Sequence, residues 1–169
     1  VAVGRSDRAM SPRSVLVLVL AILVAGALVA VAFLTVLVVR DQRSADARTD
    51  ALRIARQLTV NFTTLDYRTF DENAANVVSL SSGDFRSQFR NATADLKKQV
   101  AANKTVSRGE VLEAGLVSFD PDSARALVVA DASVTNVAAP KGSVKHYRMQ
   151  LDLVRERAGW RVVDLQFVG

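Results

Sequence analysis

The 169-residue chain contains no cysteine and one histidine, His146. A zinc site built from thiolate and imidazole ligands is therefore excluded. The lack of cysteine is compatible with an export compartment without establishing one. There is no glycine-rich phosphate loop, no serine in a nucleophile elbow and no paired-carboxylate signature. No cofactor or metal motif stands out, so an enzymatic activity would need a pocket that residue order does not display. No basic run interleaved with aromatics occurs either, which argues against nucleic-acid binding.

One long run lacks charge altogether. Val15 to Val39 is 25 residues with Thr35 as its only hydroxyl. As a helix it would extend roughly 37 Å, enough to cross a hydrocarbon core of about 30 Å. A spanning backbone must satisfy its own hydrogen bonds, which leaves a helix. A cleaved signal peptide has a shorter apolar core, and here the small-residue triplet Ala30-Val31-Ala32 lies inside the run rather than after it. A buried core helix would need a larger protein around it. The expectation is a tail over 1–14, a transmembrane helix over 15–39, and an extracytoplasmic domain over 40–169. The chain opens Val1-Ala2-Val3, and the expectation is a missing initiator or one read from an unusual start codon.

The formal net charge of +5 is unevenly placed. The tail, with Arg5, Arg8 and Arg13 against Asp7, carries +2, and so does the stretch from Arg40 to Arg56, where Arg40 and Arg43 flank the run. These arginines can meet lipid phosphates, which makes the bilayer the first expected partner. A short basic tail stays in the cytoplasm while a long domain translocates largely regardless of charge. The expected topology is a single pass through the cytoplasmic membrane with the N-terminus inside.

After the run, Leu52, Ala55, Leu58, Phe62 and Leu65 recur at spacings of three and four, predicting an amphipathic helix over 41–65. It could continue the span as a stalk or fold back on the domain. Further helices are predicted over 71–80 and 84–103, the latter with Phe85, Phe89, Ala92, Leu96 and Val100 on one stripe and Asp84 as its cap. From Thr105 the period becomes two. Ala126, Val128, Ala130, Ala132 and Val134 alternate with polar residues, as do Tyr147, Met149, Leu151 and Leu153, and then Val163, Leu165 and Phe167. Turns fall at Asp120-Pro121-Asp122-Ser123, Pro140-Lys141-Gly142 and Ala158-Gly159. The fold class is therefore α+β: helices packed on a curved antiparallel sheet of about four strands over 105–169.

The order of several short stretches carries a resemblance. They are Leu65-Asp66-Tyr67, Ser82-Gly83-Asp84-Phe85-Arg86, Ala114-Gly115-Leu116-Val117, Asp131-Ala132-Ser133-Val134-Thr135-Asn136, Tyr147-Arg148-Met149 and Trp160-Arg161-Val162-Val163-Asp164-Leu165. With the Arg-flanked span, this pattern resembles the Mce-associated membrane proteins of mycobacteria and related actinobacteria. The resemblance implies a nuclear-transport-factor-2-like (cystatin-like) domain in the cell envelope. It also implies a non-catalytic accessory role in Mce-type lipid import, with Mce complex subunits as partners. VirB8-like subunits of secretion complexes share the plan and provide the alternative, as does a small lipid-binding domain.

Phe85, Phe89, Tyr147, Met149 and Trp160 are candidates either to line a pocket for an apolar lipid or simply to form the core. His146 falls on the polar face of its strand, a poor position for a catalytic base in this fold. Asp131 is either a solvated outer-face residue or an acid at a pocket rim. Three sequons, at Asn61, Asn91 and Asn103, are read as coincidences of composition, since Phe62 belongs to the apolar stripe.

Overall fold

The computed structural model describes residue 42 and residues 44–168. The predicted tail, the run over 15–39 and the flanking Arg13, Arg40 and Arg43 lie outside the described residues. No helix among the described residues is long and apolar enough to cross a membrane.

Helix α1 covers 44–63 among the described residues. It is followed by β1 (Leu65–Asp66), α2 (Phe70–Leu80), α3 (Gly83–Ala102), β2 (Val106–Phe119), β3 (Ser123–Thr135), β4 (Ser143–Glu156) and β5 (Gly159–Phe167). The strands form one antiparallel sheet in the order β1-β2-β3-β4-β5. The sheet thus has a fifth strand beyond the four expected. The expected helix over 41–65 stops at 63, and Leu65 instead pairs with Ser107. Two residues are too few for alternation to show, and Leu65 also fits the helical spacing, so the pattern alone favours helix there.

The inner face of β3 is built almost wholly of alanine. Ala124, Ala126, Ala130 and Ala132 are buried with Val128 between them, and α1 answers with Ala47, Ala51 and Ala55. Small residues on both sides let the helix lie close to the sheet. Ile54 and Leu58 of α1 then pack into a core with Met149, Leu151, Leu153, Trp160 and Val162. Four contacts fix the direction of α1 along β2. The Arg48 guanidinium sits 5.1 Å from the Phe119 ring centre. Arg56 Nη2 donates to the Ala114 carbonyl at 3.2 Å. Ser107 Oγ donates to the Thr63 carbonyl at 2.7 Å, and the Gly109 N–H donates to Thr64 Oγ1 at 3.1 Å. The helix therefore runs antiparallel to β2, its last turn seated over Ser107 and Gly109.

The other helices differ from expectation in detail. The backbone at Ser82 is extended and holds the N-cap position of α3 without a side-chain cap bond, while Asp84 lies in the first turn. Its carboxylate there meets the positive end of the helix dipole rather than capping the amides. The link between α2 and α3 is pinned to β5: the Ser82 N–H donates to the Val162 carbonyl at 2.9 Å. Gly83, at φ +57°, lets the chain turn into α3 at once. On α3, Ala92 of the expected stripe is exposed and Thr93 is half-buried in its place.

Alternation holds through β3 and β4 and fails in β2 and β5 because of bulges. Register shifts between Val111 and Glu113 and between Leu116 and Ser118 make the inward set Ser107, Val111, Ala114, Leu116 and Phe119, with no constant parity. In β5, Trp160 and Val162 point inward, but a shift opposite Asp152 and Leu153 changes the parity before Leu165. Val163, expected inward with Leu165 and Phe167, is the residue displaced by that bulge.

Gly109 marks the closest approach of α1 to the sheet. A Cβ there would overlap Thr63 Oγ1 and come within 2.7 Å of Thr63 Cβ. Gly115, on the same strand, has open space where a Cβ would go. Gly109→Ala is expected to cost about 1–3 kcal/mol through forced displacement of the helix end, and Gly115→Ala about 0.5 kcal/mol or less. Urea unfolding midpoints measure both; equal midpoints would refute the close approach.

Candidate functional site

The last turn of α1, β1, α2, α3 and one end of the sheet enclose a cavity of about 300 Å³. Phe62 of α1 stands at the centre of its aromatic lining. Its ring centre lies 6.4, 6.2 and 6.3 Å from those of Phe85, Phe89 and Phe167. Phe167 in turn lies 5.9 Å from Tyr147. Separations of this size, with tilted rings, are favourable aromatic contacts. Across the space stand Leu65, Phe70, Ala74, Val77 and Leu96. Phe70, Ala74 and Val100 form a second buried cluster with Leu65, Phe89 and Leu96, distinct from the main core. The cavity thus lies between two apolar clusters.

Its polar lining consists of Asn61, Thr63, Asn73, Thr105 and Ser107, with the Tyr147 hydroxyl. No Asp, Glu, His, Lys or Arg lines it. Thr63 Oγ1 donates to the Thr59 carbonyl at 2.7 Å and Ser107 Oγ to the Thr63 carbonyl, so the two buried hydroxyls are already committed to α1. Asn61 Oδ1 accepts from Gln57 Nε2 at 3.0 Å and Asn73 Oδ1 from Thr69 Oγ1 at 3.1 Å. Such a lining can hold an apolar group; the general acid and base that most proton transfers use have no carboxylate or imidazole here. Among the described residues no three or more His, Cys, Asp or Glu side chains are grouped to hold a metal ion.

The five residues singled out by sequence divide. Phe89 and Tyr147 line the cavity. Phe85 lies behind Phe89, ring centres 6.2 Å apart, and packs on the main core. Met149 and Trp160 are buried in that core, Trp160 against Phe119 at 5.8 Å. Phe62, Phe70 and Phe167 were missed as lining. Phe62 and Phe167 carried the signal, since each sits on an apolar stripe, but the stripe does not say where it leads.

His146 and Asp131 meet on the outer face of the sheet, directly opposite each other in β4 and β3. His146 Nδ1 is 2.7 Å from Asp131 Oδ1, and the imidazole is 76% exposed. They border a shallow groove with Leu112, Val129, Tyr147, Arg148 and Val168, and Tyr147 is common to this groove and the cavity. Asp131 is thus an outer-face residue.

The turn that joins α1 to α2 carries Leu65 and Phe70 into the cavity wall and is held by Asp66. Arg68 Nε donates to Asp66 Oδ1 at 2.9 Å, and so does the Arg68 backbone N–H. The side-chain bond from Arg68, followed by its backbone bond, lowers the Asp66 carboxyl from 3.8 to about 2. The depressed value means that the stabilising contribution is present above the ordinary carboxyl value and is lost as pH falls through about 2. Carbon-detected NMR titration is expected to give a midpoint near 2 for Asp66, returning toward 3.8 in Arg68→Ala; an unchanged midpoint in the variant would exclude this bond as the cause.

Residues 13–169 match the model of a family described as "Uncharacterized protein Rv1363c/MT1408-like". The Rv1363c protein of Mycobacterium tuberculosis is 32% identical over 114 residues, which are 68% of this chain and 44% of that protein. The chain therefore spans less than half the length of this relative. Among solved structures, an IcmL-like type IV secretion system protein from Legionella pneumophila superposes with a TM-score of 0.59 at 16% identity, covering 72% of this chain and 91% of its own. CagV, a VirB8 homolog from Helicobacter pylori, superposes with a TM-score of 0.57 at 8% identity, covering 71% and 97%. At such identities the likeness shows the fold: helices on a curled antiparallel sheet.

Proposed function

This chain belongs to the Rv1363c/MT1408-like family, and from that premise we propose that it is a non-catalytic accessory subunit of an envelope complex. The domain stands outside the cytoplasmic membrane, anchored through the run over 15–39. Its complex is a lipid importer of the Mce type, whose assembly or stability it supports through protein contacts. The sequence resemblance to Mce-associated proteins supports this assignment, and the mycobacterial source of the relative is consistent with it.

The observation that carries the scaffold reading is the outer sheet face. Leu112, Leu127 and Val129 are 53%, 42% and 38% exposed there, and Val168 adds to the strip. The strip is bordered by the His146–Asp131 contact and by the ion pair of Arg125 with Asp152, 2.6 Å at Nε. An apolar centre with a polar rim is the anatomy of a protein interface. A VirB8-like role in a secretion complex is the second reading, favoured by the shared fold with the IcmL-like protein and CagV.

Affinity purification of the full chain from solubilised membranes separates the two. Lipid-transfer subunits are expected to accompany it; a secretion ATPase in their place would select the second reading. The double variant Leu127→Lys, Val129→Thr is expected to lose those partners while its unfolding free energy changes by less than about 1 kcal/mol. Undiminished co-purification would remove the outer face from the interface.

A further inference from the structure

We infer that the cavity beneath Phe62 takes the end of a single aliphatic chain, the acyl tail of a neutral amphiphile, with its head group at the rim. The inference holds whichever complex the subunit serves.

The lining supplies no charged side chain. Thr63 and Ser107, its buried polar residues, spend their donors on the α1 backbone. A polar group pushed inward would therefore lose its water without a partner in exchange. Asn61, Asn73 and Thr105 are half-buried and, with the exposed Phe167, lie where the lining is open to solvent. Their amides and hydroxyl can bond an ester or alcohol but cannot neutralise an ion, which favours an uncharged head.

Shape selects a flexible chain over a flat ring system. The rings around Phe62 are inclined to one another by 47°, 51° and 48°, and Tyr147 to Phe167 by 41°. None of these contacting pairs is parallel, as the walls of a stacking slot for a planar ligand would be. The volume of about 300 Å³ corresponds to about ten methylene groups, if each takes about the room of one water molecule in the liquid. The two apolar clusters meet where Phe89 touches Phe62 and Phe85, and such a chain would widen that junction into a more continuous core.

The test is photolabelling of the full chain in phosphatidylcholine nanodiscs with decanoyl glycerol carrying a terminal diazirine. Label is expected on α2 and α3 peptides containing Ala74, Phe89 and Leu96. Excess decanol should compete it away, and butanol should not. Ala74→Trp from the helix side and Val134→Trp from the sheet side should each lower labelling about tenfold, with thermal unfolding showing that the variant is folded. Label confined to residues 15–39, or label on α3 that neither decanol nor either folded variant reduces, would overturn the inference.

Discussion

The structure depends on how closely α1 can lie on the sheet. Alanines on both surfaces and the bare backbone at Gly109 bring the helix down until Thr63 touches the strand. Packing at that distance leaves little tolerance, because protein interiors respond to a single added methyl group. Once the helix end is placed there, Phe62 projects toward Phe89 of α3 and Phe167 of β5. The chain must then leave through Leu65 to reach α2. The cavity is the space left where that path diverges from the sheet.

Two regions of the molecule therefore behave differently. Around β3 and β4 the side chains are fully covered and continuous, with Met149, Leu151 and Leu153 at its centre. Around α2 the cover is thinner: Phe70, Ala74 and Val100 form a small cluster of their own, braced on the outside by Lys97 and Asp71 at 2.6 Å. Exposed ion pairs of this kind add little stability. The α2–α3 pair is thus the less firmly held side of the cavity, and the sheet the rigid one.

Much of this could be read from residue order. The alternation in β3 and β4 gave their faces correctly, and the position of His146 outside followed from it. Where sequence reading failed, the cause was geometric. Each bulge in β2 and β5 inserts a residue and reverses inside and outside, and no residue type announces it. The two-residue β1 is specified by the end of α1 and by pairing with β2, not by its own composition. The cavity escaped for a different reason: Phe62, Ala74, Phe89, Val134 and Tyr147 come from five elements, and only the folded topology brings them together. Of the five aromatic and sulfur-bearing candidates, apolar spacing alone could not tell Met149 and Trp160, which are buried, from Phe89 and Tyr147, which are half-buried at the cavity.

The margin of the sheet along β2 has a consequence of its own. Beyond Ser107 no described strand pairs with that margin. An unpaired strand margin ordinarily invites another chain to add on. Here its backbone groups are occupied from within: Thr64 accepts from Gly109, Arg56 donates to Ala114, and the Glu113 carboxylate accepts from the Ala114 N–H at 3.1 Å. The two bulges also twist the margin out of line. Strand-to-strand addition is thereby hindered at Gly109 and Ala114 without a covering strand.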